Sequence, residues 1–380
     1  MRVYADHAAT TKLHKGVLEA MIPVLEEDYG NPSSVHRLGQ EAAGILSMAR
    51  EQIAISLGCT PRELTFTGGG TEADLQAILS GTRAGAAQGR RHVITTAFEH
   101  HAVLKPMQKL RREGFDVTFL PVPEDGILQP LEVEKAIRPD TCFVSVMLAN
   151  NEIGTIQPIR EIAEICRSRQ ILFHTDAVQA VGHIPVDLKE LGVDYLSASA
   201  HKFGGPKGIG FLYTRQGAFL SSVMEGGEQE RGKRAGTENV PGAVGMAKAL
   251  EISTEHLAEG QKYVSGLRDR LAKGLLQIPG TRINGSMAEG RRVPGNVNVT
   301  ISGVEAATML ILLDSKGICA SAGAACMAGA TEPSHVLAAI GLSPEDVSSS
   351  LRFSLGADNT EEEVDYIIDV VREQTARLRR

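Results

Sequence analysis

Short apolar runs of strand length alternate along the chain with longer stretches whose apolar residues recur every three or four positions. The runs at 64–67, 92–95, 117–121, 142–147, 172–175, 195–199 and 210–213 read as strands. Between them, 72–80, 102–113, 130–136, 159–168 and 188–191 carry helical patterns. Such alternation predicts an α/β fold with a mostly parallel sheet covered by helices. One long helical pattern from about 241 to 276 leads away from the sheet region. Beyond it, strand-like 296–302 and 350–354 mix with helix-like 305–316, 333–340 and 360–378, which predicts a smaller α+β domain. The expected division is a large domain over 12–255 and a small domain built from 1–11 and 256–380. Residues 320–330, rich in Gly and Ala, form the one stretch whose composition suits movement.

Composition narrows the class. The chain has 380 residues, 42% of them hydrophobic, enough for a large core and too long for one small domain. A net charge of −7, scattered rather than blocked, argues against nucleic acid as a direct partner, because phosphate binding wants a basic face. The cysteines, Cys59, Cys142, Cys166, Cys319 and Cys326, form no CxxC pair, and no HExxH occurs, so no metal site is expected. Their odd number and spacing suit reduced thiols in a cytoplasmic protein. Residues 1–11 lack a signal-peptide pattern, and no run of ~18 apolar residues occurs, so neither export nor a membrane span is expected.

Three constellations carry candidate chemistry. Thr67-Gly68-Gly69-Gly70-Thr71-Glu72 follows a strand and opens a helix. Free N–H groups there, with the helix dipole behind them, favour an anion such as phosphate; a tight structural turn is the alternative. No Gly-Lys-Ser/Thr follows, so this is not a Walker motif. In His174-Thr175-Asp176-Ala177-Val178-Gln179 an Asp ends a buried strand. Such a carboxylate needs a cationic partner, which a protonated pyridine nitrogen would supply, or else it caps a helix. Finally, Ser199-Ala200-His201-Lys202 ends a strand and enters a Gly/Pro-rich loop. Partial burial at such a strand end lowers a lysine's proton affinity and suits Lys202 to Schiff-base formation, with Ser199 and His201 beside it to hold a phosphate. The alternative is a solvated loop lysine.

Together, in this order, the three resemble the pyridoxal 5'-phosphate (PLP) enzymes of fold type I. Further motifs sharpen the likeness: Ala8-Ala9-Thr10-Thr11, Gly30-Asn31-Pro32-Ser33-Ser34, Glu99-His100, Asn150-Asn151-Glu152-Ile153-Gly154, Arg234-Ala235-Gly236-Thr237-Glu238-Asn239 and Arg352-Phe353-Ser354-Leu355-Gly356. Spread in order over nearly the whole chain, they resemble the cysteine desulfurases of the NifS/IscS type, in the class-V aminotransferase superfamily. That resemblance implies conversion of L-cysteine to L-alanine, with sulfur passing as a persulfide to an acceptor protein. It implies PLP on Lys202 and Asp176 against the pyridine nitrogen. Gln179 and Asn151 would lie at the ring oxygen or substrate side, and Gly70, Thr71, Ser199 and His201 at the phosphate. Thr237 would reach the phosphate of a partner subunit, which implies a homodimer. His100 would stack on the ring as an acid–base candidate, and Asn31 and Arg352 would hold the substrate carboxylate. Cys326, in a mobile loop at about 320–333, would be the nucleophile.

Three positions depart from the family pattern. Leu75 stands where an Asn is usual, Glu228 interrupts a run of glycines, and Ala324 replaces a Ser just before Ala325-Cys326. None removes a group with an implied catalytic role. Neighbouring expectations are a selenocysteine lyase or another class-V PLP enzyme, and, from a different class, a low-activity sulfur-trafficking or regulatory protein. The sulfur acceptor could be a scaffold for iron–sulfur cluster assembly or a thiolation enzyme, and no residue chooses between them.

Overall fold

The computed structural model describes residues 1–322 and 333–379. Its strands are β1 (Val3–Tyr4), β2 (Leu64–Thr67), β3 (His92–Thr96), β4 (Asp116–Leu120), β5 (Thr141–Ser145) and β6 (Leu172–Asp176). They continue as β7 (Tyr195–Ser199), β8 (Gly210–Thr214), β9 (Thr281–Ile283), β10 (Asn296–Ile301), β11 (Ile318–Cys319) and β12 (Ser350–Ser354). Seven form one sheet in the order β2-β8-β7-β6-β5-β3-β4. The pairings from β7 through β4 are parallel, and β8 runs antiparallel to both its neighbours.

Alternation along each strand divides the side chains between two apolar layers. Val93, Phe143, Tyr195 and Leu212 point to one face, where Ala73, Ala77, Ile78, Val103 and Met107 of the helices Gly70–Ala86 and His101–Arg112 cover them. Their chain neighbours Ile94, Val144, Leu196 and Phe211 point to the other, against the helices Arg37–Leu57, Ile159–Ser168 and Val240–Glu255. Both faces being covered explains why these strands read as continuous apolar runs.

A second core lies around the antiparallel order β12-β10-β9, with the helices Leu257–Leu275, Ala306–Ser315 and Glu361–Leu378. Val3 and Ala5 at the N-terminus pack into this second core. The helical pattern expected as one element near 241–276 is two helices, Val240–Glu255 and Leu257–Leu275. His256 leaves the helical region with φ −119° and ψ 27°. One non-helical residue barely disturbs a 3.6-residue period, so the break leaves little trace in the pattern.

Strand alternation also orients β10 and β12. Val297, Val299, Ile301, Leu351 and Phe353 enter the second core. The intervening Asn296, Asn298, Thr300, Ser350, Arg352 and Ser354 are equally buried but polar, and face the other way. Among the described residues, no helix is long and apolar enough to cross a membrane. Phe353 is fully buried. Phe353→Ala should lower the free energy of unfolding by about 3–5 kcal/mol, read as a reduced denaturant midpoint.

Candidate active site

The carboxyl ends of β6 and β7 lie side by side, with Asp176 in register with Ser197. The helix Gly70–Ala86 begins beside them. A Cβ on Gly70 would lie 2.6 Å from Val178 Cγ2 and 3.7 Å from Ser199 Cβ, so the backbone approach needs glycine. Gly69, with φ 150°, turns the chain into this helix and offers no side-chain cap, which leaves first-turn N–H groups without that partner. Gly70, Thr71, Ser199 and the Asp176–Val178 turn are thus brought together at the edge where open α/β sheets bind ligands.

Asp176 is buried, and its Oδ1 accepts from the Val178 amide at 2.9 Å. Burial pushes the carboxyl up to about 7, with the charge of Asp74 acting in the same sense and Lys202 against it. Lys202 lies in the short turn Ala200–Lys202 after β7. Its Nζ donates to the carbonyls of Ala8 and Ala9 at 2.7 and 2.8 Å. Gln179 Nε2 donates to the same Ala8 carbonyl at 2.9 Å. His201 Nδ1 lies 3.1 Å from Thr10 Oγ1, and Thr11 Oγ1 donates to the His201 carbonyl at 2.9 Å. Ala8-Ala9-Thr10-Thr11 is therefore a clasp for both residues. The sequence singles out this tetrad, but side-chain chemistry gives no hint of a role that its carbonyls perform.

His100 caps the helix His101–Arg112, its Nδ1 accepting from the Ala102 amide at 3.1 Å. Burial pushes it down to about 4, helped by the charges of Lys202, His101 and His335. A neutral ring that accepts at Nδ1 carries its proton on Nε2. At neutral pH His100 therefore presents an N–H donor. The ring of the adjacent His101 lies 4.6 Å from that of His335, whose Nε2 is 2.8 Å from the Glu99 carbonyl.

Arg352, on the polar face of β12, is almost wholly buried. Its guanidinium donates to the Asn151 carbonyl at 2.9 Å and pairs with Asp6 at 2.8 Å, while Nε has no partner among the described residues. Asn151 Oδ1 is likewise buried and unpaired. Asp6, absent from the sequence-based assignments, is thus the anion at Arg352.

Two expected site residues lie apart from these contacts. Asn31 is exposed between the helices Lys15–Glu26 and Arg37–Leu57, and its Oδ1 accepts from the Ser33 amide at 2.9 Å. Thr237 is also exposed. Cys326 and Ala324 lie outside the described residues.

Near Asp176 sit two further buried acids that the sequence analysis leaves without a role. Burial pushes Asp74 up to about 7 and Glu99 up to about 8. Each raised carboxyl costs stability as pH rises from its unfolded value near 4 to its folded value. The buried histidines His100 and His174, each lowered to about 4, work in the opposite sense, but only below their unfolded value near 6.5. Calorimetry of the ligand-free protein should thus show the melting temperature falling from pH ~6.5 to ~8, and falling less in Asp176→Asn.

Known proteins align with this arrangement over nearly its whole length. The aminotransferase class-V family model matches residues 3–367. A protein named cysteine desulfurase IscS from Methanosarcina thermophila is 49% identical over 377 residues, covering 99% of this chain and 93% of its own length. A solved structure described as a NifS-like protein superimposes with a TM-score of 0.92 at 41% identity, covering 99% of this chain and all of that one. Another, described as SspA in complex with cysteine, gives a TM-score of 0.82 at 33% identity, covering 94% of this chain and all of that one.

Proposed function

The chain belongs to the class-V aminotransferase family, and within it we propose that it is a PLP-dependent cysteine desulfurase that converts L-cysteine to L-alanine and hands the sulfur to a protein acceptor. One observation carries this reading. Lys202, Asp176, Ser199 and the glycine-opened helix at Gly70, distant in sequence, meet at the carboxyl edge of a parallel sheet. The NifS-like and IscS relatives support it over nearly the full chain.

The residues fit the cofactor. A helix N-terminus approached without any Cβ suits a phosphate at Gly70 and Thr71, with Ser199 and His201 alongside. Asp176, buried and raised, suits a pyridinium nitrogen that would hold it ionised. Lys202 would hold the cofactor covalently, and Gln179 and Asn151 would border it. When bound, PLP supplies an electron sink for the carbanion at the substrate's Cα.

This chain's own groups supply the rest. Lys202 Nζ, steered by two carbonyls, takes and returns the Cα proton. His100 offers Nε2–H as a donor over the same site. Arg352 holds the substrate carboxylate with the N–H groups that Asp6 and Asn151 leave open, Nε among them, and Asn31 assists. The Cys326 thiolate attacks the substrate sulfur. The S–S bond forms as Cβ–S breaks, and the electron pair left on carbon is protonated to give alanine's methyl group.

We also read the chain as a homodimer. The helices Lys15–Glu26 and Arg37–Leu57 expose Leu18, Leu25, Met48 and Ile55, with Val35 90% exposed between them. Asn31 and the exposed Thr237 would be completed by the second copy. Sulfur passes from Cys326 to a scaffold or thiolation enzyme.

Purified protein loaded with PLP, given L-cysteine and a thiol reductant, should release alanine. Cys326→Ala should lose at least about 100-fold, the scale expected when a covalent nucleophile is removed. Cys326→Ser should still bind PLP and cysteine, giving a change in visible absorbance without turnover. Full alanine release by Cys326→Ala would overturn Cys326 as the group that takes the sulfur.

A further inference from the structure

Asp74, Glu99 and Asp176 come from three different elements and are each at most 4% exposed. Asp74 lies in the helix Gly70–Ala86, Glu99 between β3 and the helix His101–Arg112, and Asp176 at the end of β6. Their charges oppose one another: that of Asp74 raises Asp176, and those of Asp176 and Asp74 raise Glu99. Three buried anions at one site would be far costlier than one.

Their partners differ in a way that resolves the conflict. Among the described residues, both oxygens of Asp74 are buried without a well-formed hydrogen bond. His174 Nε2 stands 3.5 Å away and the Ser197 hydroxyl faces the same carboxyl. His174 is not a counter-ion, since burial keeps it neutral; its ring lies between Ser145 Oγ at 2.8 Å and Ser197 Oγ at 3.0 Å, stacked on Phe143. Glu99 Oε1 accepts from Thr96 Oγ1 at 2.6 Å and from the Met147 amide at 3.0 Å, and Oε2 has no partner among the described residues. Neither Asp74 nor Glu99 pairs with a lysine or arginine among the described residues. The other titratable groups facing the cluster are Lys202, beside Asp176, and, through the Glu99 carbonyl, His335; His100 and His201 face Lys202.

We propose that Asp74 and Glu99 are held as neutral carboxylic acids up to neutral pH, leaving Asp176 as the single buried anion for the cofactor's pyridine nitrogen. This rests on the PLP reading of the site. A protonated Asp74 donates to His174 Nε2 or Ser197 Oγ, and neither acceptor then needs a charge. The arrangement also protects Lys202: each additional anion nearby would raise the amine's proton affinity and keep it as unreactive ammonium. Asp74 and Glu99 are positioning residues, acting through Asp176 and Lys202.

The test uses PLP-loaded protein and the conservative variants Asp74→Asn and Glu99→Gln. Neutral isosteres of neutral acids should leave the PLP dissociation constant within about twofold, and should leave the transition pH of the cofactor's visible band within about 0.3 units. A downward shift of about one unit or more in either variant would show that the group replaced was ionised, and would overturn the proposal. The unsubstituted holoenzyme gives a second reading that needs no variant to fold. Infrared spectra of protein carrying 13C-carboxyl aspartate should show an isotope-shifted band of a protonated acid at pH ~6. Its absence would likewise overturn the proposal. Asp176→Asn separates the two levels: it should weaken PLP binding at least about tenfold, and unchanged affinity would sink the cofactor reading itself rather than the assignment of Asp74.

Discussion

Four residues at the start of the chain, Asp6 to Ala9, hold the site in register. The Ala8 and Ala9 carbonyls receive Lys202 Nζ, the Ala8 carbonyl also receives Gln179, and the Asp6 carboxylate receives Arg352. The segment is itself fixed to β12: Ser354 donates through its amide to the Ala5 carbonyl at 2.7 Å, and its hydroxyl accepts from the Ala8 amide at 2.8 Å. Lys202 belongs to the seven-stranded sheet and Arg352 to the second core, so the segment sets the distance between them. Carbonyl acceptors are a suitable clasp for a reactive amine. They aim its N–H groups without adding the full negative charge that would lock a proton onto it.

The same economy of charge runs through the surroundings. His100, His174 and His201 are all pressed down to about 4, chiefly by burial, and so are neutral hydrogen-bonding groups at neutral pH. The acids nearby are raised by the same desolvation. In a poorly solvated pocket each group moves toward its neutral form, and a charge survives only where a partner of opposite sign is supplied. Among the described residues of the site, Arg352 beside Asp6 is such a place.

Much of this was legible in the sequence because the large sheet is covered on both faces. Strands such as Leu172–Asp176 and Tyr195–Ser199 appear as compact apolar runs, and the motifs at their ends lie at the edge where open α/β sheets bind ligands. The helices Lys15–Glu26 and Arg37–Leu57 were not identified. They carry apolar residues on exposed as well as buried faces, Leu18 and Leu25 against Val17 and Val24, which blurs the one-sided period of a surface helix. The clasp at Ala8 and Ala9 was hidden for another reason. Backbone carbonyls are the same in every residue, so their use leaves no mark on composition. Asp74 and Glu99 were present as letters, but their significance lies in burial without a counter-ion, which only the packing reveals.

The seam beside β10 and β12 is polar and buried, and strand alternation creates it. Residues that turn away from the apolar core along β10 and β12 are buried as well, and so find their polar partners within the protein. Asn296 and Asn298 meet the Glu152 carbonyl at 3.1 and 3.2 Å, and the Glu152 carboxyl in turn accepts from Ser334 at 2.5 Å. Asn298 sits directly opposite Arg352 across the strand pair. With these neighbours engaged, Arg352 is held rigidly by two contacts and still has an unsatisfied donor at Nε. An unpaired buried guanidinium donor is expensive in a resting protein and favourable once a carboxylate arrives. The seam thus holds, in a residue fixed by strand geometry, a buried donor that no described residue satisfies.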